Sequence, residues 1–585
     1  MSVIHPVLIV GAGPTGLTTA VELTRQGVPV RIIDMVPQRG RLEGRALGTF
    51  ARTQEIFERI GLGEKMYDTS FPVEAVHYYY NGRKLGQLAM HGLESPYPFS
   101  MTNTQPENER ILIELLADHG VKVERPVELK SFTAASDHVD CVLVHEDGRD
   151  ETMTCSFLAA CDGGRSTVRK QLGEDFSGVQ LQGEYLLDFK AEWDTPPPPQ
   201  GVTYFSYSDD TLLIMTLLRS GYWRMAISMD FDDPRVKPDL PPVEELQKLV
   251  DIHKRHFAFR IGEIAWSSAF WISNRMVPNF RHGRVILMGD AAHIHSPVGG
   301  QGQNNGIGDG YNLAWKLAHF LKGVGGEALL DSYEAERKPV IADVLKATEQ
   351  ADKMSRTRHW FWKRARNAFV KYGTRRPGVQ KMFREMLAGY REYKNGPLNA
   401  EYDGYSGKAI SYIGGFPDYA KSDKAPKPGL CATDAHGVGV GLSRKRSRLF
   451  EVLNRDGTKH VLLVFTGIQV TDERRDYIRN FVKSVNRNYN GWVRAYMVAI
   501  QYNMGEDEDT IIDYEAQAHI RYGAFSDCFF LIRPDLYVAM RCRPADEGRF
   551  DAYMDKHFPA IRTTPYIAAL PGFAGALPGM LQAAE

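Results

Sequence analysis

Residues 286–306 of the chain, ILMGDAAHIHSPVGGQGQNNG, combine an acid, two histidines and a glycine-rich loop. Asp290 follows an apolar run, His293 and His295 stand two residues apart, and glycine and glutamine provide five of the eight residues before Gly306. Carboxylates and imidazoles can ligate a metal or transfer a proton, whereas a glycine-rich loop lets the backbone approach a large flat ligand. Two interpretations follow: a metal site, or a cradle for a cofactor.

The metal interpretation lacks further ligands. No cluster of Asp, Glu or Cys lies nearby at a spacing that would complete a metal-ligand set around the two histidines, so we predict no metal site. Two roles stay open for His293 and His295. One is a structural position beside a cofactor, and the other is deprotonation of a substrate, which suits a histidine near its ordinary pKa.

The stretch from Pro6 to Asp34 has the pattern of a strand–helix–strand unit. The aliphatic run Val7–Val10 predicts a buried strand, the apolar residues of Pro14–Gln26 have helical spacing, and Val28–Ile33 predicts a second strand. This is the order of elements in a nucleotide-binding βαβ unit.

Three glycines lie between the first strand and the helix. Gly11, Gly13 and Gly16 permit a tight turn, a close approach of the backbone to a pyrophosphate, and close helix packing. The helix N-terminus offers free N–H groups to an anion. Asp34 ends the second strand, where its carboxylate can accept hydrogen bonds from a ribose. The sequence therefore predicts a dinucleotide site.

The stretch around Asp290 is organised in the same way. Arg284–Met288 is strand-like, Gly289 and Asp290 follow its end, and apolar residues from Asn304 onward recur with the spacing of one helical face. Asp290 can hold a sugar-like hydroxyl chain, while the loop and the next helix N-terminus can contact a flat, partly negative ring. We therefore favour a second cradle over a metal site.

Together with Gly11, Gly13 and Gly16, four further stretches resemble motifs of the group A flavoprotein monooxygenases, the flavin-dependent aromatic hydroxylases. They are CDGGRSTVRK (residues 161–170), similar to the family's DG motif; GDAAHIHSPVGGQGQNNG, similar to its GD motif; EGRALGTFARTQEIFERIGL, which contains Arg45; and TQPENER, which contains Gln105. These motifs follow the family's order from residue 6 to about residue 340. The resemblance implies FAD as the cofactor.

The patterns and the resemblance predict three groups of site residues. The predicted cofactor-binding residues are Gly11, Gly13, Pro14, Thr15, Gly16, Asp34, Met35, Arg45, Gln105, Asp162, Asp290, Gly300, Gly302, Gln303 and Asn304. His295 and Pro297 are predicted to face the flavin and the substrate as catalytic residues. For Trp223, Met225 and Trp271 two interpretations stay open, the lining of a substrate pocket and a plain sheet core.

The resemblance also implies a reaction. Reduced flavin combines with O2, and the resulting hydroperoxide transfers an OH group to an activated phenolic or polycyclic aromatic substrate. NADPH or NADH is the implied reductant, although the sequence contains no second strand–GxGxxG–helix unit. A Baeyer–Villiger type oxygenase on the same scaffold is the alternative. A flavin halogenase is disfavoured because GYWRMAIS lacks the WxWxIP signature.

The expected fold class is α/β, with a Rossmann-type FAD-binding domain, an inserted antiparallel-sheet substrate domain and a C-terminal thioredoxin-like domain of the phenol hydroxylase branch. The predicted boundaries are 1–175 and 281–395 for the two parts of the FAD-binding domain, 176–280 for the sheet domain, and 415–565 for the C-terminal domain. Alternating apolar runs indicate the sheet, and a Gly-, Lys-, Asp- and Pro-rich linker marks the last boundary.

Composition limits the partners. The 585 residues carry a formal net charge of -1, which indicates neither nucleic acid nor a membrane as a partner. The six cysteines have irregular spacing and no CxxC pair, which favours reduced thiols, and the first residues lack a basic segment typical of a leader. We expect a cytoplasmic protein that binds a small aromatic substrate and O2, and the family resemblance implies a homodimer.

One stretch departs from this charge balance. Residues 353–376, KMSRTRHWFWKRARNAFVKYGTRR, contain nine Lys or Arg among aromatic residues. A membrane surface or an acidic partner is one interpretation, and a solvated helix face packed by its aromatic residues is the other. We favour the second.

Overall fold

A computed structural model describes most of the chain. The described residues are 5–37, 44–93, 95–230, 233, 235–237, 239–296, 300–355, 359–404, 425–441, 445–455, 457–500 and 507–566. Within them lie a parallel sheet, a long antiparallel sheet and a C-terminal mixed sheet, each covered by helices. No helix in these ranges has the length and apolar character needed to cross a bilayer.

A six-stranded sheet forms the centre of the first part of the chain. From edge to edge its strands are Arg281–His282, Val285–Leu287, Phe157–Ala160, Val7–Val10, Val30–Ile33 and Val123–Glu124. All neighbours pair in parallel except the first two. Since parallel strands share one direction, the loops that follow Val10, Ala160 and Leu287 meet at the same edge of the sheet.

Two helices pack closely beside this edge. Pro14–Arg25 follows the first strand, and Gln301–Leu321 follows the GD-like loop. Their contact depends on glycine, since a methyl group built on Gly310 would lie 2.5 Å from Oγ1 of Thr19. The two loops that precede these helices are therefore brought side by side.

Smaller elements complete this part of the chain. The other helices are Ala51–Arg59, Gly63–Asp68, Gln105–Asp118, Thr167–Gln171, Glu327–Ser355, Trp360–Ala368 and Pro377–Leu387, with a 3-10 turn at Gly289–Ala291 and a π-helical turn at Phe369–Gly373. Two small antiparallel sheets consist of Val127–Ala134, Val139–His145 and Asp150–Cys155, and of Gly48–Thr49, Ser100–Thr102 and Phe71–Val73.

An eight-stranded sheet, here called the roof sheet, forms the second layer. Its strands, in order, are His293–Ile294, Phe259–Met276, Gly178–Trp193, Trp223–Asp230, Leu212–Leu217, Val202–Tyr207, Ala75–Tyr80 and Arg83–Ala89. The predicted antiparallel sheet is confirmed. It also takes strands from outside residues 176–280, and one pair, Val202–Tyr207 with Ala75–Tyr80, is parallel.

One face of the roof sheet is an apolar core. Helix Val243–Asp251 lies on this face, and its Leu246 and Val250 are fully buried in the same cluster as Tyr185 and Leu187 of strand Gly178–Trp193. Side chains alternate between the two faces of a strand. The opposite face is consequently the one available to a ligand.

The last third of the chain forms a seven-stranded mixed sheet. Its strands, in order, are Ala400–Asp403, Val538–Arg543, Cys528–Ile532, His460–Phe465, Val493–Ala499, Thr510–Asp513 and Val438–Val440, and its helices are Leu449–Arg455, Asp472–Asn488, Gln517–Arg521 and Glu547–His557. An α/β unit follows the linker as expected, although the first strand lies before residue 415. The linker itself falls largely outside the described residues, and the thioredoxin-like assignment stays a prediction.

Candidate cofactor and substrate site

The first glycine loop has the geometry of a tight turn. Gly11 has a φ of +102°, and a side chain there would collide with the carbonyl oxygen of Cys161. A side chain on Gly16 would collide with the carbonyl oxygen of Gly11. The protein itself therefore requires glycine at both positions. Pro14 stands in the first helical turn, where the missing N–H has no cost.

Gly13 is different. Its φ is -79°, which any residue adopts, and a methyl group built on it would meet no described protein atom within 4 Å. The space in front of this residue is open, and it lies at the positive N-terminal end of helix Pro14–Arg25. No described protein atom requires glycine at residue 13. A pyrophosphate that lies against the backbone would require it.

Asp34 holds the first loop in place. Its Oδ2 accepts a hydrogen bond from the backbone N–H of Ala12 at 2.8 Å and lies 3.5 Å from the Arg125 guanidinium, while its Oδ1 accepts one from the N–H of Val36. These contacts leave the carboxylate at the strand end, beside the open space in front of the loop. The next residue, Met35, is 60% exposed. Their roles toward a ribose stay predictions.

The second loop turns at Gly289, whose φ is +54°, and presents Asp290. The Asp290 side chain is exposed, yet partial enclosure by the protein raises the pKa of its carboxyl, an effect that His293 and Arg45 partly oppose. The Asp290 carboxyl is thus open to solvent on one side and close to protein groups on the other, as expected for a residue on the wall of a cleft. This is where a chain of ligand hydroxyls would bind.

Thr15 packs between the two loops. A methyl group on Gly289 would lie 2.6 Å from Oγ1 of Thr15, and one on Gly306 would collide with the same oxygen. The Thr15 side chain thus faces the second loop and the start of its helix. The sequence predicted two separate cradles, and the structure places them side by side.

Asp309, which the sequence analysis missed, fixes the second loop. Its Oδ2 accepts the N–H of Gly289 at 3.0 Å and lies 2.7 Å from Nε2 of His293, and its Oδ1 accepts from Nε of Arg337 at 2.7 Å. Burial alone would raise the pKa of Asp309, but Arg337 and His293 outweigh it and hold the pKa at about 2. His293 is therefore bonded to a buried carboxylate, which fixes the orientation of its ring.

The His295 ring is largely shielded from solvent. Its side chain is buried, with Nδ1 3.1 Å from the carbonyl oxygen of Ser296 and Nε2 3.4 Å from the side-chain amide of Asn305. Burial lowers the pKa of His295 to about 4, so the ring is neutral near pH 7. Its catalytic role stays a prediction, and Pro297 lies outside the described residues.

The helix that follows the second loop begins at Gly300, which has a left-handed φ of +66°. Asn304 is bonded to protein on all sides. Its Oδ1 accepts from the N–H of Phe50 and the hydroxyl of Thr53, and its Nδ2 donates to the carbonyl of Gly48 at 2.9 Å. Asn304 therefore holds the segment before helix Ala51–Arg59. A methyl group on Gly302, two residues earlier, would lie 3.8 Å from the ring of His295, which is an ordinary contact.

Two predicted residues carry buried polar atoms without a hydrogen-bond partner in the described part of the chain. They are the side-chain amide of Gln303 and Oδ1 of Asp162. The other oxygen of Asp162 accepts the N–H groups of Thr167 and Val168, and burial raises the pKa of this carboxyl. Since buried polar groups are nearly always paired, these atoms fit a polar ligand such as FAD.

Arg45 lies under the roof sheet. Its guanidinium is 4.6 Å from the ring centre of Phe270, and its carbonyl and that of Ala46 accept hydrogen bonds from Arg224 at 3.3 and 3.4 Å. Gln105 contacts the same segment, since its Oε1 accepts the N–H of Ala46 at 3.4 Å. The roof sheet and the helix that begins at Gln105 together position the Arg45 segment.

The face of the roof sheet that carries Phe270, here called the inner face, has buried polar side chains that the sequence analysis missed. Asp188 and Arg224 form a bidentate ion pair with both distances at 2.6 Å. Glu184 stands directly opposite Phe270 in the sheet, is 5% exposed, and accepts a hydrogen bond from Ser228 at 2.9 Å. Arg224 connects this face to the Arg45 segment through its hydrogen bonds to the carbonyls of Arg45 and Ala46.

Glu184 has an unusual electrostatic environment. Burial raises its pKa to about 7, the Ser228 hydroxyl and Arg45 lower it, and the nearby Asp352 carboxyl raises it further. Asp352 belongs to helix Glu327–Ser355 and is fully buried. A carboxyl with a pKa near neutrality can accept a proton at one physiological pH and hold it at another.

The pocket-lining interpretation of Trp223, Met225 and Trp271 needs correction. Trp223 and Met225 are 5% and 0% exposed and belong to the apolar cluster under helix Val243–Asp251. Trp271 follows Phe270 and therefore points to the face of the sheet opposite the inner face. Its side chain is 38% exposed there. For Trp223 and Met225, the sheet-core interpretation describes what the structure shows.

Gly13 provides a test of the first loop. We expect Gly13→Ala to fold normally but to bind FAD about tenfold more weakly or worse, because the methyl group occupies space that only a ligand would fill. The measurement is the flavin absorbance of the purified protein, with thermal unfolding of the FAD-free form alongside. Gly326→Ala is the matched control, since a methyl group there also meets no described atom. Equal FAD content in the two variants would contradict the assignment.

Asp309 provides a test of the second loop. We expect Asp309→Asn to lose about 3–5 kcal/mol of stability, because the buried Arg337 is left without its counter-charge. The pKa of Asp309 is held at about 2, below its unfolded value, so this stabilisation is present above about pH 4 and is lost as the pH falls toward 2. Unfolding in urea at pH 7 measures the first effect, and unfolding of the wild type at about pH 2.5, inside the window where the stabilisation is lost, measures the second.

The control for this variant is Asp331→Asn, which removes a carboxylate that is 68% exposed on the neighbouring helix. Its effect should stay within about 0.5 kcal/mol. Similar losses in both variants would show that Asp309 contributes no more than an ordinary surface charge.

Known proteins match the part of this chain that contains both glycine loops. The FAD binding domain family model matches residues 5–348. A flavin-dependent monooxygenase of Mycobacteroides abscessus is 37% identical over 351 residues, which cover 58% of this chain and 72% of that protein. The 6-methylpretetramide 4-monooxygenase of Streptomyces rimosus is 37% identical over 347 residues, which cover 59% of this chain and 61% of that protein.

A solved structure resembles nearly the whole chain. The crystal structure of CabE, an aromatic hydroxylase from angucycline biosynthesis, has a TM-score of 0.69 and 26% sequence identity, and the match covers 95% of this chain and 99% of that one. The family match includes both glycine loops and the central strands of the roof sheet. The chain therefore belongs to the group A flavoprotein monooxygenases, FAD-dependent enzymes that act on aromatic compounds, and its cofactor is FAD.

Proposed function

We propose that the protein hydroxylates a phenolic or polycyclic aromatic compound, with NADPH or NADH and O2 as cosubstrates. Bound FAD supplies the activation of O2 in this reaction. The observation that carries the proposal is the inner face of the roof sheet, which sets a buried proton acceptor, Glu184, among apolar side chains beside Arg45.

The inner face suits a flat, largely apolar molecule. Leu186 and Ala226 stand opposite each other on this face, Ile214 pairs with Ala226, and Phe270 lies opposite Glu184. Apolar side chains around a few fixed polar groups are typical of small-molecule sites. The likeness to CabE, an aromatic hydroxylase from angucycline biosynthesis, supports a substrate of this class.

Glu184 is the proposed general base. In this step the O–H bond of a phenol breaks, the proton passes to the Glu184 carboxylate, and the electron pair stays on the phenolate oxygen. The phenolate is richer in electrons at its ortho and para carbons, which prepares the ring to accept an electrophilic oxygen. Ser228 orients the carboxylate through its hydrogen bond. His295 is the weaker base of the two, because burial lowers its pKa to about 4 whereas the pKa of Glu184 is raised to about 7.

A substrate panel tests the overall proposal. Purified protein loaded with FAD is mixed with NADPH or NADH and a set of phenols, naphthols and larger fused aromatic compounds. We expect one class to stimulate nicotinamide oxidation and to gain one oxygen on an intact ring, as shown by product mass and connectivity. Insertion of oxygen into a ring bond would overturn the hydroxylase proposal, as would nicotinamide oxidation that no aromatic compound changes.

Glu184 generates a pH prediction. In the wild type, kcat/KM should rise with pH, reach half its maximum near pH 7 and level off about one unit higher, because the carboxylate form is the active one and the pKa of Glu184 is about 7. Glu184→Gln should lower kcat/KM by about 100-fold and remove this rise, since the amide cannot accept the proton. Steady-state kinetics between pH 5.5 and about 9 measure the profile.

The matched control is Glu192→Gln, on the same strand but exposed to solvent. It should keep both the rate and the pH profile. A Glu184→Gln enzyme with an unchanged profile would show that another group takes the proton.

A further inference from the structure

Helix Trp360–Ala368 turns its large apolar side chains outward. Trp360, Phe361 and Trp362 are 64%, 51% and 61% exposed, whereas Arg366 is the residue that this helix buries. Fully burying one large apolar side chain stabilises a fold by about 1.5–3 kcal/mol, and at each of these three positions the helix leaves about half of that stabilisation unused. The expectation that its aromatic residues pack a solvated helix face is wrong.

The exposed apolar side chains continue along the chain. Phe369, Tyr372, Met382 and Met386 are 42%, 56%, 54% and 40% exposed. We call residues 359–387 the aromatic arm; it comprises helix Trp360–Ala368, the π-helical turn and helix Pro377–Leu387. Single exposed apolar residues are ordinary, but a run of them with adjoining rings marks an interaction surface.

The aromatic arm is also strongly positive. It contains eight Lys or Arg and one Glu, a formal balance of +7. The Arg364 guanidinium lies 5.4 Å from the ring centre of Trp360, and the Lys371 ammonium lies 5.4 Å from that of Tyr372. Positive charges therefore stand next to the exposed rings and form one surface with them.

The other side of the arm is fixed to the roof sheet. The Arg366 guanidinium lies 4.6 Å from the ring centre of Tyr207, Lys363 pairs with Asp209 at 2.9 Å, and Phe383 packs into a buried cluster beside the edge strand. These contacts set which face of the arm is turned outward. The exposed aromatic face is a defined surface of the folded protein.

The charge of this surface selects its partner. A second copy of the chain, related by a two-fold axis through the arm, would bring two equally positive surfaces together, which is unfavourable. An anionic surface is complementary. Helices that place Trp and Phe beside Lys and Arg bind at the boundary between the headgroups and the acyl chains of anionic bilayers.

We propose that the aromatic arm binds the surface of an anionic lipid bilayer. Trp360, Phe361 and Trp362 enter the boundary between headgroups and acyl chains, and the neighbouring Arg364 and Lys371 contact the lipid phosphates. The attachment is peripheral, by a helix that lies in the plane of the membrane.

Flotation of the FAD-loaded protein with lipid vesicles tests this proposal. One set of vesicles is phosphatidylcholine, and the other is phosphatidylcholine with an equal amount of phosphatidylglycerol. We expect binding to the second set, a blue shift of tryptophan fluorescence, and weakening by salt. The W360S/F361S/W362S variant should bind at least about tenfold more weakly while keeping its FAD, since three apolar anchors are lost.

Two further variants separate the contributions. R375Q/R376Q should reduce binding to anionic vesicles without changing the fold, because both residues are exposed on the arm. W271S, which removes an exposed tryptophan elsewhere, should bind as the wild type does. Failure of the wild type to bind either vesicle, or equal binding to both, overturns the proposal. Self-association that the triple variant abolishes would instead identify a second copy as the partner.

Discussion

The cofactor site depends on the buried carboxylate of Asp309. It joins a backbone N–H of the second loop, the ring of His293, and the guanidinium of Arg337 from the next long helix. A buried carboxylate is tolerated only when it is paired and hydrogen-bonded, and here all its partners belong to segments that surround the predicted flavin loops. The position of Asp290 on the cleft wall follows from this one anchored turn.

The same helices connect the cofactor site to the C-terminal part of the chain. Glu336, next to Arg337, pairs with Lys316 at 2.7 Å and with Arg533 at 2.6 Å, and all three side chains are 0% exposed. Arg533 follows strand Cys528–Ile532 and also pairs with Asp535. Breaking a buried pair leaves an uncompensated charge. The C-terminal part of the chain thus holds helix Gln301–Leu321 in place through buried ion pairs.

The loops could be predicted from the sequence because they belong to a strand–helix–strand unit of regular length. Gly16 is confined by the backbone of Gly11, and Asp34 at the end of the second strand accepts the N–H of Ala12, 22 residues before it. Such a unit leaves a spacing that can be recognised. Asp309 belongs to no such unit, because its partners come from a turn, a short strand and the next long helix and meet only after these elements pack.

The substrate side could not be predicted for a different reason. Alternation along a strand separates two faces but does not say which one meets the ligand. The residue types of Trp223 and Met225 suit a pocket lining and a sheet core equally, and in the structure they form the core on the opposite face. Glu184 has the alternation of a solvent-facing residue, so only the packing of the roof sheet over Arg45 makes it a buried carboxyl. The aromatic arm is the reverse case. Its tryptophans are apolar residues, yet they occupy the face that the packing of the arm leaves exposed to solvent. In both cases the proposal rests on the same kind of observation, a residue type that contradicts its environment.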